Sequence, residues 1–422
     1  MSRLSASAAL ALFSAAVAAG RAARGGIAPL LCFILPLSTL FFLLTGPHDW
    51  QGALGWTLPV WLCVAADYAG PADRAAPGPA RMEWLLDARL YALFGLHLAN
   101  IVLLLDVASR LRWGAPAEFA QGAANLVAAR VLAGSASCCC GIAAAHELIH
   151  RAPRHLRWMG RILLWTVCYD HFALVHGRGH HRLAATPADP STARFGERFG
   201  DFFRRSARGQ WLNAWRLERR RLRGLSGPAL WSRHRVLHGL AVQLVLLGLI
   251  FSYFGALALA LFLYQAWVAV RMLEAVNYVQ HWGLVRAGTR FGGADAWSCD
   301  SWFTLHAFIG LSRHADHHAC AGKPCHRLRH CEESPRLPGG YFVMALMVRL
   351  RNDRYCELAG QELRARGLGP FRPGRAQEAA GGGEYFLPGG IVFADGSVKV
   401  SGADGLARTA RKSLPFSFWR DV

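Results

Sequence analysis

Residues 127–150 read VAARVLAGSASCCCGIAAAHELIH. From Val127 to His146 a single charge, Arg130, interrupts small and apolar residues, and the run has the roughly 20 residues that a helix needs to cross a hydrocarbon core about 30 Å thick. Arg130 falls in the first turn, from which a long side chain reaches back to the interface. The run closes on His146-Glu147-Leu148-Ile149-His150, where i, i+4 spacing puts both imidazoles on one helical face. A span that delivers a histidine pair to its edge frames the reading of the whole chain.

Working outward, apolar runs of similar length lie at 27–45, 53–69, 90–109, 236–252 and 256–278. We therefore expect an all-α integral membrane protein with about six transmembrane helices and a cytoplasmic histidine-rich site. Pro29, Pro36 and Pro59 fall inside the first two runs, which a bilayer tolerates because neighbouring helices re-satisfy freed carbonyls. No charge falls between Leu240 and Val270, so the last two runs should form a tight hairpin turning near 252–255. The apolar stretch 162–175 is too short to cross and reads as interfacial or re-entrant. Another interfacial helix is expected at 341–350. The membrane domain is expected to span 1–370. A Gly/Pro-rich tail, 371–422, carries short β-like pieces and reads as loosely ordered.

The formal charge of +20 comes from 47 Lys and Arg against 27 Asp and Glu. Runs such as 216–223 raise the question of nucleic acid, but arginines clustered between apolar spans are better explained by the positive-inside bias. Arg3, Arg21 and Arg24 precede the first span, Arg74 and Arg81 follow the second, and the other large clusters follow the fourth and sixth. Only Arg110 and Arg112 fall on the opposite side. The expected topology places the amino terminus and all histidine groups on the cytoplasmic face of the plasma (inner) membrane. Residues 8–19 could pass for a cleaved signal peptide. Cleavage would turn the arginine loops outward, so an uncleaved interfacial helix is preferred.

Eleven cysteines include no Cys-x-x-Cys pair, which excludes a built-in rubredoxin-type iron site or a zinc ribbon. Cys138, Cys139 and Cys140 read as small packing residues. Cys320, Cys325 and Cys331 flank a histidine group and are not expected to bind metal. No internal repeat and no nucleotide-cradling glycine loop is present.

Eighteen histidines are present, and half fall in four groups: His146 and His150; His176, His180 and His181; His281; and His314, His317 and His318. A lone pair on a helix is more often surface or core than ligand, and His-Glu-x-x-His also matches zinc proteases, where the Glu is a base. The deciding point is coincidence. The span count puts all four groups on one membrane face although well over a hundred residues separate them. Nine imidazoles exceed the three or four that one zinc takes and suffice for two metals with open positions. Imidazole suits iron, copper, nickel and zinc alike, so ligand type does not choose the element. Glu147, Asp189, Asn277 and Asp316 are the candidates to accept from, or orient, the ligating rings. His48, His97, His155, His171, His234 and His306 lack cluster spacing and read as structural.

Over roughly 27–354 the chain resembles the bacterial membrane alkane 1-monooxygenases, relatives of xylene monooxygenase within the membrane fatty-acid desaturase and hydroxylase superfamily. The stretches that carry the resemblance are 146–151, 176–194, 277–284 and 311–319. The resemblance implies that the nine motif histidines bind two non-haem irons, which use O₂ to hydroxylate a terminal or methyl C–H of a hydrocarbon drawn from the membrane. It also implies a separate rubredoxin- or ferredoxin-type electron donor with its reductase. Val175 and Gln280 stand where alkane hydroxylases usually show Glu, and Trp282 replaces the usual Tyr; Gln280 is closer to the xylene version. A xylene-type benzylic hydroxylase, a desaturase or lipid hydroxylase, an intramembrane zinc protease using His146, Glu147 and His150, and a non-catalytic metal- or lipid-binding membrane protein are the alternatives.

Overall fold

The computed structural model describes residues 28–77, 83–286 and 288–372 and the backbone of three short strands beyond them. The helix expected at 8–19 and most of the tail from 371 lie outside the described residues. Within that tail, Tyr385–Leu387, Gly390–Val392 and Val398–Lys399 pair as an antiparallel three-stranded sheet in chain order.

Among the described residues four helices are long and apolar enough to cross a membrane: α1 (Ala28–Thr45), α2 (Glu83–Arg110), α3 (Pro116–His150) and α4 (Arg235–His281). The first six residues of α1, Ala28–Phe33, are a 3₁₀ turn. Within α3 the segment Ser137–Ile142 is π-helical, and α4 contains one non-helical residue, Gly255, at φ 83° and ψ 180°. Glycine occupies this backbone region almost alone. Both arms of α4 return to one place: Gly239 lies against Asp170, and Gln265 donates through Nε2 to the Thr166 carbonyl at 2.8 Å. The two apolar runs thus form the expected hairpin with its bend at Gly255.

The run at 53–69 does not form one span. It divides into Trp50–Gly55 and the 12-residue Leu58–Ala69, and 12 residues rise only about 18 Å. Asp49 caps the first piece by accepting from the Gly52 N–H at 2.6 Å, and Pro59 in the first turn starts the second. Leu58–Ala69 instead docks on Tyr341–Leu350. Asp67, 3% exposed, accepts from the Ser301 and Thr304 hydroxyls, each at 2.6 Å, and from the Phe342 and Val343 N–H groups at 2.9 and 3.2 Å. A Cβ on Gly340 would lie 1.7 Å from the Asp67 carboxylate, so the approach requires glycine.

Elsewhere small residues set the helix spacing: a Cβ on Gly134 of α3 would meet Val268 of α4 at 2.4 Å, the close approach typical of packed membrane helices. Buried Glu274 of α4 accepts from Ser206 and Gln210, each at 2.7 Å, and so holds the basic helix Phe199–Arg221 against the bundle. The stretch 162–175 covers the end of one short helix, Arg154–Trp165, and the whole of another, Phe172–Val175. One end of each long helix gathers with the histidines. Arg89 donates to the Pro29 carbonyl at 3.2 Å, joining the starts of α2 and α1, and Arg151 bridges Asp87 at 2.8 Å, joining the end of α3 to the start of α2.

Gly255→Ala is expected to lower stability by about 1–3 kcal/mol, since alanine is strained at this φ and ψ. Thermal unfolding of the purified protein in detergent checks it; an unchanged midpoint would show that the bend does not depend on glycine.

Candidate metal centre

Each histidine group arrives on its own element. α3 ends in His146 and His150, one turn apart, with ring centroids 5.1 Å apart. The second group begins as a π-helical turn, His176–His180, followed by His181–Leu183. α4 ends at His281. The fourth group occupies the six-residue helix His314–Ala319, which starts after Arg313.

The nine rings converge in two adjoining sets. His146, His150, His176, His181 and His317 have ligand atoms within 4.8 Å of one another, as do His180, His281, His314 and His318. His181 and His318, from different sets, stack at 4.3 Å. The π turn explains an allocation that helical spacing does not anticipate. A π-helix closes i→i+5 hydrogen bonds and so widens the turn; His176 falls beside His181, their Nε2 atoms 3.1 Å apart, while His180 goes to the other set.

The nitrogens fit shared ions. His317 and His181 approach at 3.1 Å through Nε2, and His281 and His318 each approach His314 at 3.0 Å. A metal–imidazole bond of about 2.1 Å puts two nitrogens at right angles about 3.0 Å apart. The Nε2 atoms of His146, His150 and His180 are buried with no hydrogen-bond partner among the described residues. Buried polar atoms are almost always partnered, and a cation at each set would partner them all. Nine imidazole nitrogen donors, borderline in softness, and no cysteine in either set suit a non-haem iron site.

Burial holds His176, His314, His317 and His318 well below the usual imidazole range, and the neighbouring histidines push the same way. The rings are therefore neutral and able to bind metal at neutral pH. His180 donates from Nδ1 to Asp189 at 2.9 Å, which turns its Nε2 lone pair toward the second set. Burial pushes the Asp189 carboxyl up, but His180 and the Thr192 hydroxyl outweigh it and hold the group below the usual carboxylate range.

The other three expected orienting residues do something else. Glu147 bridges Arg151 at 2.7 Å and accepts from the Cys325 N–H at 3.1 Å. Asp316 holds Lys323 at 2.7 Å and the Arg329 N–H at 2.7 Å. In both cases a cation claims the carboxylate: Arg151 one helical turn on from Glu147, and Lys323 beyond the short helix that carries Asp316. Asn277 donates to Glu274 at 3.3 Å and lines a cavity instead. The carboxylate that sequence reasoning passed over is Glu274, hidden as one acidic residue in an apolar run.

That cavity lies beside both sets, walled by Ile142, Phe172, Leu273, Val276, Phe308 and Leu311, with His146, His176 and His314 at one end. Its open volume is about 10 Å³, room for about one water. Gln280 borders it and donates to the Tyr341 hydroxyl at 2.7 Å. Val175 packs in an apolar cluster with Ala214 and Val236, which explains an apolar residue there. Trp282 is buried and donates to the Glu197 carbonyl at 3.2 Å.

The fatty acid desaturase family matches residues 122–345, more than half of the chain. The chain belongs to this family. Among curated relatives, alkane 1-monooxygenase 1 of Pseudomonas aeruginosa is 40% identical over 213 residues, covering 49% of this chain and 56% of the relative. The alkane 1-monooxygenase of Acinetobacter baylyi is 34% identical over 209 residues, 48% of this chain and 51% of the relative. The hydroxylase component of xylene/toluene monooxygenase from Pseudomonas putida is 28% identical over 206 residues, 48% and 55%. The chain thus spans about half the length of the curated relatives it matches. The family match covers His146 through His318, so every ring of both sets falls inside it.

Two outcomes follow from the buried rings. Without metal, the unfolded chain takes up protons below the ordinary imidazole pKa of about 6.5 while the folded rings do not. Stability should therefore be full above that pH and fall progressively as the pH is lowered, read as melting midpoints at pH 8 and 5.5. Asp189→Asn leaves His180 without its carboxylate and is expected to weaken metal retention about 10–100-fold, measured by chelator competition; wild-type retention would deny Asp189 its orienting role.

Proposed function

We propose that this chain is a membrane non-haem di-iron monooxygenase that hydroxylates a terminal or methyl C–H of a hydrophobic hydrocarbon with O₂ and externally supplied electrons. The observation that carries this reading is the five-plus-four convergence of imidazoles, most of them buried, at the edge of an apolar bundle. In this reading His146, His150, His176, His181 and His317 hold one iron, and His180, His281, His314 and His318 hold the other. Bound iron supplies the activation of O₂ that no protein side chain provides.

The chain's own residues do the rest. Asp189 keeps His180 in the metal-binding tautomer. The wall of Ile142, Leu273, Val276, Phe308 and Leu311 excludes water and presents only carbon to a substrate. Among the described residues Asn277 and Gln280 are the cavity's only polar lining residues apart from the histidines and Cys138, and none of these is a carboxylate that could abstract a proton. The cavity is closed down to one water, so a hydrocarbon enters by displacing side chains, and chain selection rests on how far they yield. Gln280, bound to Tyr341, keeps this wall uncharged.

A zinc protease needs Glu147 as a base at the metal, and Glu147 is engaged by Arg151 and Cys325. Relatives named as alkane 1-monooxygenases favour hydroxylation of alkanes over desaturation of lipids. The positive-inside bias supports a plasma-membrane orientation with the histidines facing the cytoplasm. There, exposed Arg204, Arg208, Arg216, Arg219 and Arg220 on Phe199–Arg221 offer a basic stripe to an acidic electron carrier of rubredoxin or ferredoxin type.

Cells expressing the chain and fed a mixture of alkanes, alkylbenzenes and fatty acyl esters are expected to yield terminal alcohols from the alkanes. The purified protein is expected to carry two irons per chain. Replacing His317 or His318 by Ala should reduce alcohol formation to background. Desaturated acyl products without alcohols, or one zinc per chain with peptide cleavage, would overturn the reading.

A further inference from the structure

A second and larger cavity, about 730 Å³, opens at the shared end of α1 and α2, with Arg89, Arg313, His306 and His326 on one part of its wall and Leu305 and Ile309 on another. It is a near neighbour of the histidine cavity. Phe308 and Leu311 line the histidine cavity, whereas Ile309 and Gly310 line this one. The chain reverses there at positive φ, 53° at Ile309 and 81° at Gly310, so a single turn of backbone forms the partition.

Its polar wall carries cationic donors in excess of their partners. Arg89 is 9% exposed and donates to two carbonyls, Leu86 at 3.1 Å and Pro29 at 3.2 Å. No carboxylate pairs with it among the described residues. Arg313 donates to the Leu328 and Ala75 carbonyls at 2.7 and 2.9 Å, reaches Asp73 only at 3.5 Å, and has a buried Nε without a partner. Both ring nitrogens of His326 are buried without a hydrogen bond, and its nearest carboxylate, Glu83, is 3.9 Å away. Arg74, by contrast, is bound to Asp300 at 2.7 Å. Burial pushes His306 down to about 4; Asp73 opposes this, and Arg89 and Arg313 add to it.

A buried guanidinium calls for a counter-charge, and its planar fork matches an oxyanion. The rest of the wall is mostly apolar, with the Asp73 carboxylate and the Asp300-bound Arg74 also on it, and the volume falls within the range of sites that enclose a small organic ligand. We propose that this cavity binds an amphiphile with an oxyanion head, the head held by Arg89 together with Arg313 and His326 and the chain lying against Leu305 and Ile309. A fatty carboxylate and a membrane phosphate ester share this head chemistry. The site stands apart from the di-iron reading, because its occupancy is read as binding and needs no turnover.

The full chain in neutral detergent is titrated with hexadecanoate, lysophosphatidylglycerol and hexadecan-1-ol and read by native mass spectrometry. At least one of the two anions is expected to bind at one per chain, the tighter identifying the source, while the alcohol fails to compete. Arg89→Gln should weaken that binding at least about tenfold, as loss of a charged hydrogen bond does, and Arg89→Lys should restore part of it. Ile309→Trp, which fills the cavity without touching the charges, should also reduce binding and serves if Arg89→Gln does not fold. Alcohol binding as tight as the anions', no binding of either anion, or unchanged binding in folded Arg89→Gln or Ile309→Trp protein would overturn the proposal.

Discussion

Nine imidazoles pointing at one another, seven of them buried and two half-buried, are the constraint on which the structure turns. Each would rather face solvent or take a proton, and their ring nitrogens crowd to 3.0 to 3.1 Å. Such an arrangement is costly unless something shared occupies the nitrogens' lone pairs. The bundle therefore reads as a frame built to hold these rings where they would not otherwise stay. Four separate elements deliver them, and the close helix approach at Gly134 and Val268 brings two of those elements together.

The buried carboxylates serve this frame rather than the chemistry. Asp67 ties the short helix Leu58–Ala69 to Tyr341–Leu350, Glu274 ties Phe199–Arg221 to α4, and Glu147 ties α3 to the strand of chain at Cys325. Each accepts several hydrogen bonds, which is how a buried charge is kept from destabilising its surroundings. Only Asp189 turns toward a ring. The wall next to the rings is mostly carbon, broken by Cys138, Asn277 and Gln280, and that division between polar pins and an apolar working space fits the proposed hydrocarbon substrate.

Much of this could be read from the amino acids alone, and the exceptions have physical reasons. Apolar run length located α1, α2, α3 and both arms of α4, and the uncharged stretch around Gly255 marked the hairpin. The run at 53–69 misled because hydropathy does not register the break between Gly55 and Leu58, nor the distant partners that make Asp67 a tether. The histidines were all visible by spacing, but their division was not: a π turn is silent in residue type, so His176 and His180 looked like one face. Glu147 and Asp316 sat at the right offset from histidines, yet Arg151, Cys325, Lys323 and Arg329 claim them. Glu274 escaped notice because its four partners, Tyr169, Ser206, Gln210 and Asn277, come from three places along the chain.

The two sets are interleaved rather than stacked side by side. His180 and His181 are sequence neighbours serving opposite sets, and so are His317 and His318. The halves of the centre are joined at two points, each a single peptide bond between neighbouring ligand candidates, so any displacement of either short segment moves a ring of each set.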